Sequence, residues 1–153
     1  MKMLAVLGLL FLVSCHQNDN PAPAATAFTC QIDGVSFSPK SPLTFHLTPG
    51  GSGAGGGPYD RLEIMAPNTR TSAGIDVLYQ KPPGTGDANY KLSGIYYDDS
   101  TIHKTYSVNL IGAVHQTSSG AWSGTFAGTG TTYTGGTTAP STLSQGVFTE
   151  IKP

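Results

Sequence analysis

Apolar and polar residues alternate along most of the chain from residue 27 onward. Such alternation is typical of strands that bury one face, since successive side chains of a β-strand point to opposite sides. Stretches rich in Gly, Pro, Asp and Ser separate the runs, and no segment shows the period of an amphipathic helix. The pattern predicts an all-β fold of about nine antiparallel strands, with a β-sandwich as first choice and a small β-barrel as the alternative.

The clearest element is a hairpin at the start of this region. Phe28, Cys30 and Ile32 alternate with polar residues, and the dipeptide Asp33-Gly34 follows them. An Asp-Gly pair suits the positive φ angles of a tight turn. We therefore predict two short strands joined at this dipeptide.

The alternating sets also predict a core and three irregular segments. Segments 16–26, 50–57 and 129–141 are expected to be irregular, because Pro, Gly or low-complexity sequence dominates each of them. A one-residue slip of any strand would expose its apolar set to water, so the register should be well defined. The predicted core residues are Phe28, Ile32, Leu62, Ile64, Val77, Leu92, Val108, Leu110, Phe126 and Phe148.

The first fourteen residues follow another pattern. Lys2 precedes an uninterrupted apolar run at residues 3–13, which is too short for an ordinary transmembrane helix and typical of a signal peptide. The sequence LVSC at 12–15 resembles the lipobox of bacterial lipoproteins, where a diacylglyceryl group is attached to the cysteine thiol and the signal is cut before it. The resemblance implies a signal peptide at 1–14 and a lipidated Cys15 carrying fatty acyl chains such as palmitate. A plain secretory signal with a chance cysteine is the alternative.

The predicted organisation has three parts. After the signal peptide, residues 15–26 comprise the lipidated cysteine and a flexible, Pro-containing tether, and residues 27–153 form a single all-β domain. His16 follows the cysteine, whereas an aspartate at that position retains some lipoproteins at the inner membrane. We therefore expect the outer membrane, with the periplasmic and surface-facing orientations both open.

Charge excludes one class of partner. The formal net charge is −1 and only 11% of the residues are charged. Nucleic-acid binding needs a basic patch, so the composition argues against it. It also argues against electrostatic attachment to anionic lipid, which leaves the lipid anchor as the predicted means of membrane attachment.

Three motifs resemble a known group of proteins. FTCQIDGVSFSP at 28–39, AWSGTFAGT at 121–129 and LSQGVFTEI at 143–151 are similar to short, uncharacterised lipoproteins common in Bacteroidota. The resemblance covers residues 27–153 and implies an all-β envelope lipoprotein; the family is a domain of unknown function and brings no catalytic residue with it. The matching residues are Phe28, Asp33, Gly34, Phe37, Gly124, Thr125, Phe126, Gly146 and Phe148.

Recognisable site chemistry is sparse. A G-x-G-x-x-G spacing at 51–56 has no helix after it, which a phosphate site needs. The adjacent Asp98 and Asp99 fit a solvated turn better than a calcium site or a catalytic carboxylate pair. Cys30 is expected to be a buried small hydrophobe. The four histidines lack metal-site spacing: His16, His46, His103 and His115. We therefore predict no metal, no cofactor and no enzymatic activity.

Two surface features remain as candidate sites. Asp99, Ser100 and Thr101 resemble the acceptor sites at which Bacteroidota O-glycosylate exported proteins, which makes Ser100 a candidate O-glycosylation site. Tyr96 and Tyr97 are neighbours in a predicted strand, so one of them must face outward.

Exposed aromatic residues on a sheet are a common means of stacking on sugars. Tyr59 and Tyr133 are expected in Gly-rich loops, whereas Trp122 is expected in the core. We predict a noncatalytic binding or structural module of the cell envelope. A glycan- or protein-binding surface module is the alternative, and an envelope hydrolase is the less favoured one. A hydrolase would need a cleft in which a histidine meets a carboxylate or hydroxyl.

Overall fold

A single antiparallel sheet contains all nine strands of the described chain. The computed structural model describes residues 27–39, 41–52, 58–68 and 73–152. One turn of 3-10 helix, Asp87–Asn89, precedes the sixth strand. The strands are β1 (Ala27–Ile32), β2 (Val35–Phe37), β3 (Thr44–Ser52), β4 (Pro58–Asn68), β5 (Ala73–Lys81), β6 (Lys91–Asp99), β7 (Ile102–Gln116), β8 (Trp122–Thr134) and β9 (Thr137–Ile151).

The strand order is β2-β1-β9-β8-β7-β6-β5-β4-β3. From β3 to β9 each strand pairs with the next one along the chain, and β1 then pairs with β9. The sheet curls into a half-barrel whose two edges are β2 and β3. The predicted all-β class and strand number are confirmed, and the curled sheet is consistent with a sandwich or a barrel-like fold.

The concave side of the sheet is the hydrophobic core. Aromatic rings from opposite parts of the sheet meet there: Tyr79 of β5 lies 6.1 Å from Phe148 of β9, and Phe45 of β3 lies 6.0 Å from Trp122 of β8, between ring centroids. The Tyr79 hydroxyl also donates a 2.7 Å hydrogen bond to the carbonyl of Thr125. Side chains thus fill the curl, as in small barrels.

Most of the predicted core is confirmed. Two predicted residues, Leu92 and Leu110, are half-buried against the core. The buried ones are Phe28, Ile32, Leu62, Ile64, Val77, Phe126 and Phe148.

Val108 contradicts the core prediction, since 56% of it is exposed. The pairing of β7 with β8 shifts register on both sides of this residue, and the next residue, Asn109, has a positive φ of 49°. Such irregularities interrupt strict alternation, because an extra residue on one strand reverses the facing of those beside it. Val108 consequently faces outward, whereas Ile111, which lies beyond the second shift, faces outward as plain alternation requires.

The two G-x-F motifs form one packing unit on the concave face. Gly124 pairs with Phe148, and Phe126 pairs with Gly146. A Cβ atom built on Gly124 would lie 2.6 Å from Cζ of Phe148, and one built on Gly146 would lie 2.5 Å from ring carbons of Phe126. Each glycine therefore provides the space that the phenylalanine on the other strand occupies. The two rings stack with centroids 6.4 Å apart.

The predicted hairpin at the start of the domain is confirmed. β1 and β2 pair across a turn in which Asp33 and Gly34 have φ angles of 50° and 80°. Both residue types tolerate this left-handed conformation.

The prediction of an irregular segment at 129–141 is wrong. β8 continues to Thr134 and β9 begins at Thr137, so that a long hairpin replaces the expected loop. The turn consists of Gly135 and Gly136, both with positive φ. The physical reason is that threonine is β-branched and favours strands even in low-complexity sequence, while a Gly-Gly pair supplies the tight turn.

Part of the predicted organisation lies outside the described residues. This holds for the signal peptide at 1–14, the segment at 15–26 and residues 53–57 of the predicted Gly-rich loop. Gly50 and Gly51, at the start of that loop, belong instead to β3: Gly51 pairs with Tyr59 of β4, and Gly50 lies in the register shift just before it, with a positive φ of 68°. Within the described part of the chain, no helix has the length and apolar character needed to cross a membrane.

Candidate functional site

Aromatic and polar side chains gather on the convex face of the sheet near the β6–β7 turn. The register places them in two rows across β6, β7 and β8. Residues two apart in a strand share a face, so neighbouring rows form one continuous patch. We call this patch the tyrosine face; its rows are Asp98, His103 and Tyr133, and Tyr96, Thr105 and Thr131.

Both tyrosines of this patch are exposed, Tyr96 by 44% and Tyr133 by 51%. The ring of Tyr96 lies against Gly94, because a Cβ atom built on that glycine would be 3.3 Å from its Cε2 and hydroxyl atoms. A ring held in this way has one side on the backbone and leaves the remainder accessible. The prediction that one of Tyr96 and Tyr97 faces outward is confirmed, with Tyr97 packed against the core.

Asp98 and His103 form a close pair between the tyrosines. Nδ1 of His103 lies 2.6 Å from Oδ1 of Asp98, and their side chains are 59% and 70% exposed. One histidine thus meets a carboxylate, as a hydrolase would require. The pair nevertheless lies on an open sheet surface, without the exclusion of water that strengthens such groups in active sites. His46 and His115 are exposed elsewhere on the sheet.

A groove adjoins the tyrosine face. It encloses about 370 Å³ between β7, β8 and β9 and shares Thr105 and Thr131 with the tyrosine face. Threonine and serine hydroxyls both donate and accept hydrogen bonds, so the groove suits a ligand rich in hydroxyl groups. We call it the threonine groove; its lining is Thr105, Ser107, Val108, Thr129, Gly130, Thr131, Pro140, Ser141 and Thr142. The Ser141 hydroxyl is not one of the groups open to a ligand, since that residue is 3% exposed and its hydroxyl lies 3.0 Å from that of Tyr106 on the concave face.

The side of the tyrosine face towards β5 is acidic. Asp76 of β5 is the cross-strand neighbour of Tyr96 and is half-buried. Burial, and then the negative charge of Glu63, raise the pKa of the Asp76 carboxyl above its ordinary value. Arg61 acts in the opposite direction, although its guanidinium is already paired with Glu63 at 2.7 Å. A ligand at Tyr96 would therefore meet carboxyl groups on this side.

A second polar cluster lies on the concave face. The Lys104 ammonium is paired with the Asp33 carboxylate. The Ser141 hydroxyl lies 2.9 and 3.1 Å from the two oxygens of that carboxylate and 3.0 Å from the Tyr106 hydroxyl. The backbone N–H of Thr142 donates a 2.7 Å hydrogen bond to the same carboxylate. This set, which we call the Asp33 cluster, connects the β1–β2 turn to β7 and β9.

The electrostatics of the Asp33 cluster favour a structural role. Burial acts to raise the pKa of Asp33, but the hydrogen bonds from Lys104, Thr142 and Ser141 outweigh it and lower the pKa below its ordinary value. A serine beside a lysine is one arrangement used for nucleophilic catalysis. Here the serine is 3% exposed and bound to a carboxylate, and the ammonium is paired with the same carboxylate. Neither group is placed to attack a substrate.

The predicted modification sites have different outcomes. Ser100 lies exposed in the β6–β7 turn, with its hydroxyl 3.3 Å from Oδ1 of Asp99. An acceptor hydroxyl there is accessible, and its O-glycosylation stays a prediction. Cys15 lies outside the described residues. Cys30 is buried, as predicted, and its burial raises the pKa of the thiol to about 12.

Metal ligands do not converge in the described part of the chain, where no three His, Cys, Asp or Glu side chains form a group that could hold an ion.

Comparisons with protein-family models, with curated proteins and with solved structures find no match to this chain. The choice of function therefore depends on the geometry of the tyrosine face and the threonine groove.

Proposed function

We propose that this protein is a lipid-anchored module of the bacterial outer membrane that binds glycans without catalysis. The tyrosine face and the threonine groove form its binding surface. The observation that carries the proposal is the pair of half-exposed tyrosines, Tyr96 and Tyr133, beside a groove lined by hydroxyl groups.

Stacking and hydrogen bonding together explain why a glycan fits this surface. A sugar ring has apolar C–H faces that pack on aromatic rings, and hydroxyls around its rim. Tyr96 lies on β6 and Tyr133 lies on β8, and the single strand β7 separates them. The intervening positions are His103 and Thr105, which supply polar atoms. The arrangement is built on strands, which hold binding groups more rigidly than loops do.

Glycan binding is tested by retention of the full chain, purified in detergent, on a panel of immobilised polysaccharides. We expect retention on at least one member, and expect the Tyr96→Ala and Tyr133→Ala variants to bind about tenfold more weakly, the effect of a central contact residue. Tyr59→Ala is the matched control. The Tyr59 ring likewise lies over a glycine, Gly51, but at the other end of β4 from the tyrosine face. Equal losses in all three variants would contradict the proposed site.

A protein ligand is the second candidate. Ile111 and Val108, exposed by 72% and 56%, form an apolar extension of the same convex face. Exposed apolar side chains in one place are typical of protein-binding surfaces. The Ile111→Ala variant distinguishes a glycan ligand from a protein ligand. It should leave glycan retention unchanged, whereas it should weaken binding of a protein that contacts Ile111.

The membrane anchor is supported by the sequence at 12–15 and by the resemblance to Bacteroidota lipoproteins. The twelve residues at 15–26 connect this anchor to the domain. The domain, which begins with β1 at Ala27, would then stay close to the membrane while its convex face meets polymers of the envelope.

Lipidation is tested by the Cys15→Ala substitution. We expect the unaltered protein in the detergent phase after detergent partitioning, because two or more acyl chains anchor a protein stably where one chain does not. The variant should move to the aqueous phase or remain as uncut precursor. Cys30→Ala is the control, since the buried Cys30 is not a lipidation candidate. Recovery of the unaltered protein in the aqueous phase alone would refute the anchor.

A further inference from the structure

On the basis of the glycan-binding role proposed above, we infer that the ligand is a neutral glycan chain lying along β8 from Tyr133 to Thr129, and that acidic glycans are excluded. The inference combines the charges around the tyrosine face with the direction of the threonine groove.

The charged groups beside this surface are carboxylic acids and one guanidinium, that of Arg61, which is paired with Glu63 at 2.7 Å. Asp98 belongs to the tyrosine face, and Asp76 borders it next to Tyr96. β8 and β9 contain no Lys or Arg, and the Lys of β7, Lys104, is directed to the concave side and paired with Asp33. The Lys of β6, Lys91, is at the opposite end of that strand from Asp98. An acidic glycan would thus approach carboxylates without a basic partner to receive its own charge, which is unfavourable.

His103 does not change this balance. Its Nδ1 atom is 2.6 Å from Oδ1 of Asp98, so a positive charge on the imidazole would be matched by that carboxylate. The pair can still offer hydrogen bonds to hydroxyl groups through its outer atoms. Neutral hydroxyl groups of a ligand can therefore form hydrogen bonds with both Asp98 and His103.

The shape of the surface indicates a chain rather than a single sugar. Tyr133, Thr131 and Thr129 are alternate residues of β8 on the convex face. The four residue-to-residue steps from Thr129 to Tyr133 extend over about 13 Å, which exceeds one sugar ring. Thr105 on β7 and Thr142 on β9 flank this line and supply hydroxyls on both sides of it.

The test compares neutral polysaccharides with acidic derivatives of the same chain. The full chain in detergent is run in affinity gels that contain hydroxyethyl cellulose or carboxymethyl cellulose, dextran or carboxymethyl dextran, and methyl-esterified or de-esterified homogalacturonan. For each pair that retards the protein, we expect the acidic member to bind at least about tenfold more weakly. The Asp76→Asn, Asp98→Asn double variant should narrow this difference, as should added salt, which screens charges.

Asp87→Asn is the charge control, because Asp87 is an exposed carboxylate in the 3-10 turn beside Lys81 and away from the groove. This substitution should leave the ratio of neutral to acidic polysaccharide binding unchanged. Equal or stronger binding of the acidic members would overturn the neutral-glycan inference while the glycan-binding function stands. If a monosaccharide inhibited polysaccharide binding as strongly as longer oligosaccharides do, the inference of an extended glycan ligand would be overturned. Retention on none of the panel would overturn the proposed function itself.

Discussion

Replacement of Phe126 by alanine is expected to lower the free energy of unfolding by about 4 kcal/mol. Phe126 is 1% exposed, and its ring centroid lies 5.2 Å from that of Phe28 and 6.4 Å from that of Phe148. The substitution removes apolar contacts and leaves a cavity where strands β1, β8 and β9 meet. Urea unfolding of the two proteins under identical conditions measures the difference.

The control for Phe126→Ala is Ile111→Ala. Ile111 is 72% exposed on the convex face, so the loss should stay within about 0.5 kcal/mol. A comparable loss in both variants would show that the concave side is not the core.

The contact between Phe126 and Gly146 allows a sharper test of the same packing. Gly146→Ala adds a methyl group that meets the Phe126 ring, and it should therefore destabilise the unaltered protein. In the Phe126→Ala background the ring is gone but the backbone oxygen of Phe126, which the added Cβ atom would also meet, remains, so the second substitution should cost less without becoming neutral. The difference is the coupling energy of the pair. Strict additivity would contradict the packing of this ring on the glycine.

The sequence predicted the fold best where strands are regular. Every second residue is buried throughout β5 and from Leu62 to Ala66 in β4, and the predicted core residues Leu62, Ile64 and Val77 are fully inside. Prediction failed in β7, because the register shifts around Val108 depend on the pairing with β8. It failed again at 129–141, where composition suggested a loop although threonine favours a strand.

The site was predictable only in fragments. Adjacency required that Tyr96 or Tyr97 face outward, and that much is visible in the sequence. That Tyr96, His103 and Tyr133 share one patch depends on how three strands align, and alternation within each strand does not specify this alignment. The same holds for the Asp33 cluster, since Asp33 and Ser141 meet only because β1 pairs with β9.

Asp33→Ala is expected to lower the free energy of unfolding by about 2 kcal/mol at neutral pH. The substitution leaves the Lys104 ammonium, whose side chain is 12% exposed, without its carboxylate partner. Loss of one partner of a fully buried pair costs about 3–5 kcal/mol. We expect a smaller loss for Asp33→Ala, because the Asp33 side chain is 40% exposed and solvent screens the pair. Alanine is also less suited than aspartate to the positive φ of this turn.

Asp33→Asn isolates the charge, because asparagine tolerates the same turn conformation and can still accept the hydrogen bond from Thr142. Folding lowers the pKa of Asp33, so its charge stabilises the protein above the unfolded-state pKa, and this contribution is lost as the pH falls through the folded-state value. The stability difference between the unaltered protein and Asp33→Asn should be constant from pH 7 to about 5 and shrink below about 4. Asp98→Asn, which breaks the exposed pair with His103, should cost less than about 1 kcal/mol at pH 7. A difference for Asp33→Asn that grew on acidification would show that the Asp33 carboxylate does not stabilise the fold.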